Sequence, residues 1–149
     1  ILNGGKTKIG LESTIVDLTD KISILRPGGI TIEQLEEVLR CKIKLKKLSK
    51  NIKSPGQLGL HYSPGIPVRL NAKYPKKNEA FLQFSEKAKN KNNYFTLSKS
   101  GNVREAAKNL FSILRLIKKK GYSSIAVGRI PNHGLGLAIN DRLKKASNK

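Results

Sequence analysis

The 149-residue chain has no methionine, no tryptophan, one cysteine and two histidines. The lone Cys41 excludes an internal disulfide, and no second thiol stands near it to suggest a metal knot. His61 and His133 lie far apart in sequence, which argues against a His-based zinc site. No apolar run approaches the ~18 residues that would span a membrane, and no secretory signal is visible. These absences lead us to expect a cytoplasmic protein in a reducing compartment. With only four Phe and four Tyr, the core must be built mainly from Ile, Leu, Val and Ala.

Acidic residues are also scarce. Ten Asp and Glu face 30 Lys and Arg, for a formal net charge of +20. A positive field of that density attracts phosphates, so RNA is one natural partner. The cations are mostly lysine, however, and planar bidentate phosphate recognition favours arginine. A solvated lysine surface is the alternative reading of the same numbers.

What is present reads as α/β. Residues 13–19 alternate as a strand, with Thr14, Val16 and Leu18 on one face and Ser13, Ile15 and Asp17 on the other. Asp20-Lys21 is a turn, and Ile22 to Arg26 a second strand that pairs back as a hairpin. After Pro27-Gly28-Gly29, the string Thr31-Ile32-Glu33-Gln34 fits a capping box. It predicts a helix over 32–40 that buries Ile32, Leu35, Val38 and Leu39. Residues 42–53 are lysine-rich, a weak strand leading into a linker. Three Pro and three Gly between Ser54 and Pro67 exclude a regular helix or central strand. That stretch either links domains or forms a structured loop over a site.

Beyond it, strands are expected at Val68–Leu70, Ala80–Phe84, Tyr94–Leu97 and Ser124–Val127. A helix at 103–119 carries an apolar stripe at Val103, Ala107, Leu110, Leu114 and Ile117, and Gly121 closes it. A last helix spans Leu135 to Ala146. Alternating strands and helices imply a small, mostly parallel sheet.

Several side chains could carry chemistry. Arg26 ends an apolar strand just before a Pro-Gly-Gly turn, where a guanidinium can grip a phosphate with two parallel hydrogen bonds; the alternative is a surface arginine at a strand edge. Ser13 and Thr14 offer hydroxyls on opposite strand faces. Tyr62, beside His61 in the Pro/Gly-rich stretch, could close onto a nucleotide or pack on a neighbouring surface. Glu12 and Asp17 lack paired-carboxylate geometry. Gly134-Leu135-Gly136 opens the last helix but lacks the third glycine of a dinucleotide loop, so tight packing of the helix on the sheet is its expected role.

Together, Gly10-Leu11-Glu12-Ser13-Thr14-Ile15-Val16-Asp17, Ile24-Leu25-Arg26-Pro27-Gly28-Gly29-Ile30, Ser54-Pro55-Gly56 with His61-Tyr62-Ser63-Pro64, and Gly134-Leu135-Gly136-Leu137-Ala138-Ile139-Asn140-Asp141-Arg142-Leu143 resemble the long, two-domain form of L-threonylcarbamoyladenylate synthase. The resemblance covers essentially the whole chain. It implies a nucleotidyltransferase that joins L-threonine, bicarbonate and ATP into threonylcarbamoyl-AMP, releasing pyrophosphate. The product would pass to a tRNA threonylcarbamoyl transferase, and contact with tRNA itself is possible.

By the same resemblance, Ser13 lies at the threonine site, Arg26 at the ATP phosphates, and Tyr62 closes over the nucleotide. Mg²⁺ is expected with the triphosphate. Residues 1–47 would be the C-terminal end of the α/β catalytic domain, 48–66 the linker or lid, and 67–149 a Rossmann-like accessory domain. The family's Lys-x-Arg pair is absent here, and the strings Ser49–Asn51 and Ser100–Asn102 fall in the wrong places for its Ser-x-Asn motif. Ser63 replaces the usual alanine. The remaining catalytic residues are therefore expected upstream of Ile1, and the chain alone is expected to be inactive. A basic RNA-binding module and a nucleotide-sensing accessory domain are the alternative functions.

Overall fold

A computed structural model describes residues 2, 5, 7–46, 62–86 and 92–147. Most of the Pro/Gly-rich stretch, including His61, therefore lies outside the described residues, as does most of the expected 85–93 segment.

The described elements form two sheets. The first holds β1 (Ile15–Asp17), β2 (Ser23–Arg26) and β3 (Lys44–Leu45) in that order. Strands β1 and β2 form the expected antiparallel hairpin, pairing Ile15 with Arg26 and Val16 with Ile24 across a register shift. Strand β3 joins β2 in parallel after helix α1 (Ile32–Leu39). The capping box of α1 is formed as its sequence requires. Gln34 N–H donates to Thr31 Oγ1, and Thr31 N–H donates to the Gln34 side chain at 2.9 Å.

The apolar stripe of α1 departs from expectation. Val38 is 78% exposed and Leu39 is also exposed, while Ile32 and Leu35 are only half-buried. The stripe is thus covered at its start and open at its end, so amphipathic spacing here does not by itself mark a core. Leu18 departs similarly: it lies just past β1 and is exposed, whereas Asp17 is buried. The shift between Ile15 and Val16 breaks the strict alternation on which the face assignment rested.

The second sheet runs β4 (Val68–Arg69), β7 (Ser124–Val127), β5 (Glu79–Gln83), β6 (Tyr94–Thr96), with every pairing parallel. Helices α2 (Val103–Lys119) and α3 (Leu135–Ser147) supply the core on one face. Alternation along the strands turns Ala80, Leu82, Ile125 and Val127 toward them, against Leu110, Leu114 and Ile139. Asn102 caps α2 by accepting from the N–H groups of Arg104 and Glu105. A smaller cluster of Ala72, Phe81 and Ala126 lies apart from this core. Ile9 and Leu11 pack against the main core, which brings the N-terminal block onto the α2–α3 layer.

Candidate functional site

The hairpin brings Ser13 and Arg26 together. Arg26 Nε and Nη2 both donate to the Ser13 carbonyl, at 3.2 and 3.0 Å, and Nη2 lies 3.4 Å from Ser13 Oγ. Arg26 is 8% exposed, so it is not the strand-edge surface arginine its position alone would allow. A guanidinium held by two bonds to one backbone carbonyl is fixed in direction before any ligand arrives. Gly28 makes this approach feasible. A Cβ on it would stand 2.4 Å from Glu12 O, Ser13 C and Thr14 N, and Gly29 N–H donates to Glu12 O at 2.9 Å. Thr14 serves the scaffold: its hydroxyl exchanges hydrogen bonds with the backbone of Ile30.

Tyr62 reaches the same neighbourhood from the other side. Its backbone sits at φ +68, a left-handed conformation that non-glycine residues seldom adopt without tertiary support. The support comes from α2 and α3. The ring stacks on Phe111 at 5.7 Å, and the Arg142 guanidinium lies over it at 5.0 Å. Burial raises the Tyr62 phenol pKa, the positive charges of Arg142 and Arg26 oppose the rise, and Glu12 adds to it. The four side chains thus share one electrostatic environment.

Arg142 joins these parts. It is buried on α3, yet it donates to Glu12 Oε2 at 2.9 Å, to Pro27 O at 3.0 Å and to Asp141 Oδ2 at 2.6 Å. Its Nη2 is buried without a hydrogen-bond acceptor among the described residues, and the Tyr62 ring supplies a cation–π contact instead. Burial raises the Glu12 carboxyl pKa, but its own backbone N–H and Arg142 more than offset this, leaving it below the usual range. Sequence reasoning did not single out Arg142. The signal was there: Leu135, Ile139, Arg142, Leu143 and Ala146 share the buried stripe of α3, and an arginine inside such a stripe needs partners.

The opening of α3 is likewise committed to structure. Gly134 N–H donates to Glu33 Oε1 of α1 at 3.1 Å. The Glu33 carboxyl is held below its ordinary pKa by its own backbone N–H and by that of Gly134. A Cβ on Gly136 would lie 2.0 Å from Pro131 O, so its close packing is against the preceding loop and not, as expected, against the sheet.

Glu12, Tyr62, Phe111, Arg115 and Lys118 line a cavity of about 510 Å³; Ser13 and Arg26 are not part of its lining. Asp17 is occupied by Lys46 and Thr19, which hold its carboxyl far below the usual range. Among the described residues no group of three or more His, Cys, Asp or Glu could hold a metal. No described helix is long and apolar enough to cross a membrane.

The family described as "Threonylcarbamoyl-AMP synthase, C-terminal domain" matches residues 30–148. Threonylcarbamoyl-AMP synthase of Pyrococcus abyssi is 34% identical over 99% of this chain and 48% of its own length. The synthase of Bacillus subtilis is 32% identical, again over 99% and 48%. The crystal structure of P. abyssi Sua5 complexed with L-threonine superposes with a TM-score of 0.80 at 30% identity, covering 97% of this chain and 48% of that one. The chain spans about half the length of the curated relatives it matches.

Proposed function

Because the chain belongs to the threonylcarbamoyl-AMP synthase family through the C-terminal domain, we propose that it supplies one wall of an ATP- and threonine-binding cleft. The reaction we assign is synthesis of threonylcarbamoyl-AMP from L-threonine, bicarbonate and ATP with release of pyrophosphate, in service of tRNA modification. The observation that carries this reading is the Arg26–Ser13 pair, fixed on the hairpin beside Glu12 and Tyr62. A relative with a closely similar fold holds L-threonine in its crystal structure.

In this reading the carbamate of threonine attacks the α-phosphate of ATP, and negative charge grows on the phosphoryl oxygens. Catalysis of such a step is mostly positioning and electrostatic stabilisation. Arg26 would hold the phosphates, the Ser13 hydroxyl would orient threonine, and Tyr62 would cover the nucleotide and limit water. Mg²⁺ would accompany the triphosphate. Residues 1–47 would complete a catalytic domain, with 48–66 as linker and 67–149 as accessory domain. The other walls would come from polypeptide outside these 149 residues. Leu18, Ile30, Val38, Leu39 and Leu45 are exposed apolar side chains that such polypeptide could cover.

The test is a pyrophosphate-release assay. The 149-residue chain alone should release none. The same chain joined behind the N-terminal half of the B. subtilis relative should release pyrophosphate only with ATP, threonine and bicarbonate all present. Activity of the chain alone would refute the shared-cleft arrangement. A well-folded but inactive fusion would refute the synthase assignment.

A further inference from the structure

The second sheet carries a separate cavity of about 380 Å³ where β4 and β7, adjacent parallel strands, run out at their carboxyl ends. Leu70, Val127, Ile130 and Leu143 give it apolar surface, and Arg129 and Lys144 stand in its lining. In open α/β sheets the crevice beyond the carboxyl ends of the strands is the usual place for a ligand, and the volume suits a small one.

Its polar chemistry has one sign. No carboxylate lines the cavity. The nearest candidate on the same helix, Asp141, is engaged by Arg142 and Lys145. Arg129 and Lys144 make no ion pair with any described residue, unlike Arg69, which Glu79 holds at 2.6 Å. Asn140, in the cavity lining, donates its Nδ2 to Pro131 O at 3.2 Å and to Asn132 Oδ1 at 3.4 Å, which fixes the orientation of its amide. Asn71 and Asn132 add two further amides.

We propose that this cavity binds a nucleoside phosphate. Its apolar surface would take the base, its asparagine amides would hydrogen-bond base or sugar, and Arg129 with Lys144 would take the phosphate. The site is distinct from the Ser13–Arg26 hairpin. Asn140 and Lys144 lie one helical turn apart on α3, while Arg142, midway between them, turns to the other side toward Glu12.

AMP is the probe, titrated into the 149-residue chain at low salt and followed by amide chemical shifts and calorimetry. Adenosine and inorganic phosphate serve as the two halves. Shifts should cluster at Asn71, Gly128, Arg129 and Asn140. AMP should bind more tightly than either half, and the Arg129→Ala, Lys144→Ala double variant should lose at least about tenfold in affinity. Both side chains are exposed, so the thermal midpoint of the variant should stay at the wild-type value. The proposal is overturned by absent binding, by shifts spread over the lysine surface or confined to Ser13 and Arg26, by AMP binding no tighter than phosphate, or by full affinity in the double variant.

Discussion

Arg142 Nε lies 2.9 Å from Glu12 Oε2, across 130 positions of chain. One guanidinium on the last helix therefore holds the strand entry that precedes Ser13, the Pro27 carbonyl that follows Arg26, and the ring of Tyr62. Removing it strands the Glu12 carboxylate, leaves Asp141 to Lys145 alone and opens a buried gap. Arg142→Ala should cost about 3 kcal/mol in urea unfolding. Arg142→Lys keeps the charge without the fork and should fall between Ala and wild type. Glu12→Gln, at a half-exposed carboxylate, should cost about 1 kcal/mol. Equal, small losses for Arg142→Ala and Glu12→Gln would show that Arg142 contributes only an exposed-type ion pair.

Gly28 is set by contact rather than by backbone freedom. Its missing Cβ is the space occupied by the backbone of Glu12, Ser13 and Thr14. Gly28→Ala must push those strands apart, and backbone yields less readily than a flexible side chain. We expect a loss of about 1–3 kcal/mol in unfolding free energy. Gly121→Ala is the control for conformational strain alone: φ is +79 there, and no atom stands within 4 Å of the added carbon. The amide shifts of Ser13 and Thr14 should move in Gly28→Ala and stay fixed in Gly121→Ala.

Acid should destabilise the chain through depressed carboxylates. Asp17 is lowered from an ordinary 3.8 by the Lys46 ammonium and the Thr19 hydroxyl and N–H. Glu36 is lowered from 4.5 by the Ile43 N–H and by Lys42. A carboxyl with a lower pKa folded than unfolded binds fewer protons in the folded state. Its stabilisation is complete above the ordinary pKa and is lost as pH falls below it. The growing positive charge of an already cationic chain acts in the same direction. The urea midpoint should therefore begin to drop at about pH 5 and keep falling below about pH 3, where the Asp17 contribution is lost. Asp17→Asn should flatten that slope and lower the midpoint at neutral pH; an unchanged slope would show that Asp17 is not a main contributor.

Local grammar made much of the fold readable. Thr31 and Gln34 form their capping box because both partners lie within one turn, and α2 spans Val103–Lys119 because its apolar period continues unbroken from the Asn102 cap to Gly121. The Arg26–Ser13 pair was legible as two suggestive residues on neighbouring strands, but their shared hydrogen bonds depend on a register shift no alternation pattern shows. Arg142 was harder still. Among seven arginines its burial is set by Glu12 and Pro27, more than a hundred positions away. The stripe on α1 failed differently: spacing shows that a helix has an apolar face but not what covers it.

That uncovered face gives a direct contrast with the true core. Val38 is 78% exposed, whereas Leu110 is fully buried among α2, α3 and the second sheet. Val38→Lys should change the unfolding free energy of this chain by less than about 0.5 kcal/mol. Leu110→Ala should cost about 2–5 kcal/mol, because it removes methyl groups from a site with little room to collapse. Replacing the exposed Val38 by lysine should also reduce self-association at high concentration, read by sedimentation. A penalty for Val38→Lys above about 1 kcal/mol would show that α1 is already covered when the chain folds alone. The apolar face would then be unavailable to the polypeptide that completes the proposed cleft.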